Sequence, residues 1–148
     1  MSTCFFIGHR DAPERVMELL TEAVERHIVQ YGVTEFVVGQ YGIFDRMAAR
    51  AVREAKQWHP EVSLVLLLPY YRPEKIDGEW DGTFYPPGME TVPKRLAIVR
   101  ANRYMVDHCD YLIAYAKYPG NSRDVMEYAK KRGKHIENLA ERDLGIPD

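Results

Sequence analysis

Continuous apolar runs, separated by stretches of helical periodicity, constrain this chain more than any other feature. Residues 3–7, 35–38 and 62–68 are almost uninterrupted apolar runs. A strand wet on one face alternates apolar and polar side chains. Continuous runs therefore read as strands covered on both faces, as in a parallel sheet. After the first run, Val16, Leu19, Leu20, Ala23, Val24 and Ile28 recur at helical spacing until Gly32. After the second, Phe44, Met47, Ala48, Ala51, Val52 and Ala55 do the same until His59 and Pro60. Each set is the apolar stripe of an amphipathic helix. Asp11 with Glu14 three residues on forms a capping-box-like start for the first helix.

Strand–helix–strand–helix–strand order argues for right-handed βαβ units. The spacing then predicts a helix over 94–107, with Ile98, Ala101 and Met105 as its buried line, and a fourth strand over 110–115. A helix over 123–132 ends in Gly133, and a short fifth strand follows over 134–139. The expected fold is α/β: a single Rossmann-like domain over 1–140, with a doubly wound, mainly parallel sheet of about five strands and flanking helices. Residues 141–148 read as a loose polar tail. Residues 69–93 hold five prolines, with Tyr70, Tyr71, Trp80, Phe84 and Tyr85 among acidic side chains. A loop of that length is a lid, a partner surface or a passive insertion.

At 148 residues and a net charge of -2, the chain has neither the basic balance of a general nucleic-acid binder nor that of a membrane-surface protein. No nucleic-acid or membrane partner is expected, and the run at 62–68 is too short to span a bilayer. Cys4 and Cys109 lie in or beside apolar runs, as core thiols of a reducing cytoplasm do. His27, His59, His108 and His135 lack metal-ligand spacing, and no Ser or Cys stands in a nucleophile elbow. Neither a metal nor a cofactor is implied.

Doubly wound sheets bind ligands at the carboxyl ends of their strands. Three such ends carry unusual residues. Gly8, His9 and Arg10 close the first strand: Arg10 offers a donor fork for phosphate or carboxylate, or pairs with Asp11 or Glu14. His9 either contacts a ligand or packs. Gly39, Gln40, Tyr41 and Gly42 make a turn between the second strand and its helix, and Asp45 follows in the first helical turn. Asp45 could hold ribose hydroxyls or simply complement the helix dipole. Pro119, Gly120, Asn121 and Ser122 make a second such turn, and Glu127 lies one turn into the next helix. Arg100 and Arg103 share a helix face and could reach a phosphate or form surface ion pairs.

Taken in order, these motifs resemble the SLOG superfamily, the Rossmann-like group of the LOG and DprA proteins. The nearest likeness is to its small stand-alone YpsA/YoqJ-like bacterial and phage members. The resemblance runs from the Gly8-His9-Arg10 element through the 39–45 turn with Ala48 to residues 103–107 and 110–114. LOG enzymes carry a PGGxGTxxE element whose glutamate takes part in N-glycosidic bond cleavage. Pro119, Gly120 and Glu127 keep that spacing, while Asn121, Arg123 and Asp124 replace its second glycine, third glycine and threonine. Arg100 falls one position from the family's catalytic arginine, and Arg103 lies further along.

The resemblance and the turns together carry the expectation of a sensor or binding module for a nucleotide or ADP-ribose-like ligand. The alternative is a nucleoside 5'-monophosphate phosphoribohydrolase using Glu127 with Arg100 or Arg103. A homo-oligomer, or a pure interaction domain using the aromatic loop, is also open.

Overall fold

The computed structural model describes residues 2–70, 76 and 78–143. Among these, the strands are β1 (Ser2–Gly8), β2 (Val33–Val38), β3 (Ser63–Leu67), β4 (Gly82–Phe84), β5 (Tyr111–Tyr115) and β6 (His135–Asn138). They form one all-parallel sheet in the order β4-β3-β2-β1-β5-β6. The helices are α1 (Val16–Val29), α2 (Ile43–Lys56), α3 (Lys94–His108) and α4 (Asn121–Lys131). The chain steps outward from β1 to β4, then returns to the far side of β1 as β5. The order therefore reverses between β1 and β5, which opens a crevice at their carboxyl ends.

The continuity of the apolar runs has a direct cause. Cys4 and Phe6 of β1 face α1 and α2, packing with Val16, Leu20, Phe44 and Val52. Phe5 and Ile7 face the other way, packing with Ala97, Ala101 and Met105 of α3 and Met126 of α4. Alternate residues of one strand thus enter two separate cores, and neither face can be polar.

Three expectations are corrected. The sheet has six strands rather than about five, because Gly82, Thr83 and Phe84 pair with Val65, Leu66 and Leu67 inside the stretch read as loop. A three-residue edge strand containing glycine has too little pattern to be legible. Around it, Leu68 N–H donates to Phe84 O at 2.8 Å, and Asp81 Oδ2 accepts from Leu64 N–H at 2.7 Å. The second half of the supposed lid is therefore bonded to the sheet; residues 71–75 and 77, with their share of that reading, lie outside the described residues.

Second, α1 starts at Val16 with no side-chain cap, so Asp11 and Glu14 form no capping box. Asp11 instead accepts a hydrogen bond from the Tyr118 hydroxyl. Third, the tail is tied down at Asp143, whose side chain is 2% exposed. It accepts from Arg15 Nε at 2.7 Å and from the Tyr115 hydroxyl at 2.6 Å. These donors hold its carboxyl well below the usual range. Residues 144–148 lie outside the description. Cys4 and Cys109 are buried and unpaired, and burial pushes the Cys109 thiol up to about 11. Among the described residues no helix is long and apolar enough to cross a membrane.

Candidate functional site

Two glycines bring the turns after β1 and β2 together. A Cβ on Gly8 would stand 2.3 Å from the Phe44 ring, so the end of β1 lies flat against the first turn of α2. A Cβ on Gly42 would stand 2.6 Å from Arg10 Cα, so the two turns touch backbone to backbone. Ile43 N–H donates to Arg10 O at 2.8 Å and locks the contact. Two of the helices that start at this edge, α2 after Gly42 and α4 after Gly120, lead from the glycine turns and lack a side-chain cap. Their free N–H groups and positive dipole ends face the strand ends.

The resulting cleft has two lobes. A lobe of about 460 Å³ lies over the switch point, lined by Gly8 at the end of β1, by His9 and Arg10 just after it, and by Pro119, Gly120, Asn121 and Ser122 around the start of α4. A second lobe, of about 550 Å³, extends toward β3 and is lined by Gln40, Arg46, Arg53 and Trp80. Gly39, Tyr41, Asp45 and Pro69 border both lobes and make them continuous. Gly42 lines neither lobe and acts through its contact with Arg10.

His9 is 6% exposed and spends its ring on the protein. Its Nε2 accepts from Lys117 N–H at 2.8 Å and Tyr118 N–H at 3.4 Å. Accepting at Nε2 requires the neutral ring with its proton on Nδ1. Burial pushes its pKa below the ordinary histidine value, which keeps that form. The Tyr118 ring stacks on it at 3.7 Å, only 3° from parallel. His9 thus moulds the loop before α4 and presents the outer face of Tyr118 to the cleft mouth.

Asp45 accepts from Tyr41 N–H at 3.0 Å. Burial raises its pKa to about 6, against the opposing pull of that N–H and of Arg10. A perturbed carboxyl in a cleft is a hallmark of a functional site.

Glu127, Arg100 and Arg103, which the hydrolase alternative would use, line neither lobe. Glu127 is exposed on α4 and paired with Lys130 at 3.4 Å. Arg103 lies over the Tyr128 ring at 5.2 Å, on the outer face of α3 and α4, and Arg100 is exposed. Periodicity places Glu127 two turns down α4 from the cleft-lining Gly120, on a wetted face.

Cleft residues that sequence reasoning missed are Arg46, Arg53 and Asn102. Asn102 had a signal: it falls four residues after Ile98, inside the buried line of α3, where an amide has no packing reason to be.

No protein-family model matches this chain, and no curated protein matches it. The fold does resemble that of DNA processing protein A from Helicobacter pylori, a structure described for its single-stranded DNA binding mode. The TM-score is 0.57 at 14% identity; the match covers 91% of this chain and 63% of that one. This finding overturns two expectations, the nucleotide-like small ligand and the exclusion of nucleic acid, because the solved protein sharing the fold binds single-stranded DNA. The phosphoribohydrolase alternative finds no support in it either. Net charge alone does not exclude such a partner, since a near-neutral chain can still carry local cationic groups. The likeness establishes a Rossmann-like fold shared with that DNA-processing protein.

Proposed function

We propose that this domain binds single-stranded nucleic acid, laying the strand along the cleft at the carboxyl edge of the sheet. The observation that carries the reading is the cleft itself. Two uncapped helix N-termini and the exposed guanidiniums of Arg10 and Arg46 share it with aromatic rings. Single strands are held by this combination: cations and helix N-termini for the phosphodiesters, aromatic faces for the bases. Tyr118, stacked on His9 and still 45% exposed, is the platform at the mouth. The fold shared with a single-stranded DNA-binding protein supports the same partner class. On this reading the chain is a SLOG-type module of the YpsA/YoqJ-like kind, acting in a reducing cytoplasm where Cys4 and Cys109 remain thiols.

Fluorescence anisotropy with a labelled oligo-dT strand and a duplex of equal length tests it. If Arg10 and Arg46 each neutralise one phosphate, log K against log salt has a slope of about −1.4 for the single strand. Arg10→Ala weakens binding and reduces that slope by about 0.7. Tyr118→Ala costs about 1–3 kcal/mol. Absence of single-strand binding at low salt, or binding indifferent to Arg10→Ala, overturns the proposal.

A further inference from the structure

Within the lobe over the switch point, two polar side chains stand apart from the rest. Asn102 of α3 is 7% exposed and Ser122 of α4 is 5% exposed. Both line the lobe, and neither side chain has a hydrogen-bond partner among the described residues. Asn102 lies on α3 beside the buried Ala101 and Met105, and its amide is not sealed from solvent but opens to the lobe. An amide left open toward a cavity is spare recognition capacity.

The walls around Asn102 say what it recognises. Ile98 and Ala101 flank it on α3, and Ile7 and Leu67 close the lobe from the strand ends. A phosphate is too strongly hydrated for such an apolar slot, and the uncapped α4 N-terminus and Arg10 already serve phosphates nearer the turns. A flat heteroaromatic ring suits apolar walls and still carries polar edges. The amide offers one donor and one acceptor side by side, the pattern with which asparagine pairs to adenine through N6 and N7. In an unpaired strand adenine presents a donor–acceptor pair on both of its open edges. Guanine, cytosine and thymine present such a pair on the Watson–Crick edge alone, and guanine's other edge carries two acceptors, O6 and N7, so adenine is the base that fits the amide from either edge.

We infer that Asn102, with the Ser122 hydroxyl beside it, is a base-reading subsite that takes one unstacked adenine of the bound strand. The inference rests on the single-strand reading above and adds sequence preference to it.

Anisotropy competition against labelled oligo-dT tests it, using otherwise identical strands that carry one central dA, dC, dG or abasic position. The dA strand should bind about tenfold more tightly than plain oligo-dT. Asn102→Leu, close in size and apolar, should erase that preference, so that the dA strand and plain oligo-dT bind alike. Its melting temperature should stay close to that of the wild type, because the amide makes no hydrogen bond within the described protein and leucine suits the apolar walls around it; this separates lost recognition from lost folding. Ser122→Ala should reduce the preference without abolishing it. Equal binding of all strands by the wild type, a preference for another base, or a dA preference that survives Asn102→Leu overturns the subsite but leaves single-strand binding intact. Failure of every strand to bind overturns the single-strand reading, and the subsite falls with it.

Discussion

Replacing Asp45 by asparagine should stabilise this protein, and by more at high pH than at low. Asp45 borders both lobes of the cleft and accepts from Tyr41 N–H, a bond that the asparagine Oδ1 can also accept. Burial lifts its pKa from 3.8 to about 6. A raised carboxyl pKa means that the folded state holds a proton the unfolded chain has released, so stability falls as pH rises between the two values. At about 1.4 kcal/mol per pKa unit, keeping Asp45 ionised at pH 8 costs up to about 3 kcal/mol. Its residual exposure to the cleft trims this, and about 2 kcal/mol is the working figure. Asp45→Asn removes the charge and should raise the melting temperature at pH 8 by about 4–8 °C for a chain of this size. At pH 5, where folded Asp45 is already protonated, the gap should shrink to roughly half. Urea unfolding at the two pH values gives both numbers. A variant no more stable than wild type at pH 8, or a gap that does not change with pH, would show that Asp45 is not a strained buried carboxyl.

Gly8→Ala should cost about 2 kcal/mol or more, read in urea denaturation, because its Cβ would stand 2.3 Å from the Phe44 ring in a packed core. Asp143→Ala should lower stability by about 1–2 kcal/mol at neutral pH, since it unpairs the Tyr115 hydroxyl and Arg15. Asp143's folded pKa is depressed, so its contribution is present above the ordinary carboxylate value and fades as pH falls below it; the Asp143→Ala deficit should narrow in acid. His9 should titrate in NMR below the usual histidine midpoint, with its proton on Nδ1. Because its folded pKa is lowered, it subtracts stability as pH falls through the unfolded value of about 6.5. A midpoint above that value would contradict the acceptor role of Nε2.

The strand and helix pattern was legible because each element repeats one physical rule over many residues. Residues 3–7 had to be covered twice, and residues 16–28 had to show one face to a sheet. The turns that border the cleft were legible for a related reason. A glycine beside a strand end, at Gly8, Gly39 or Gly120, marks where the chain changes direction at the carboxyl edge of the sheet. The Asp11–Glu14 capping box failed because its signature is local, and Tyr118, 107 residues away, competed for the same carboxylate. The β4 edge strand was missed because three residues carry no period. Glu127 followed a motif's spacing, whereas one helical period decides whether a side chain meets the cleft or water.

The sequence by itself determined the two-faced sheet, the order of its elements and the strand ends that build the cleft, because hydrophobic periodicity and glycine turns act over a few neighbouring residues. Only the tertiary structure decided what those ends enclose. It turned His9 inward to hold Tyr118, left Asn102 and Ser122 open to the same lobe, and tied Asp143 to Arg15 across the chain. Each of these joins groups far apart in sequence, and such pairings become energetically possible only after the sheet has formed and excluded water between them.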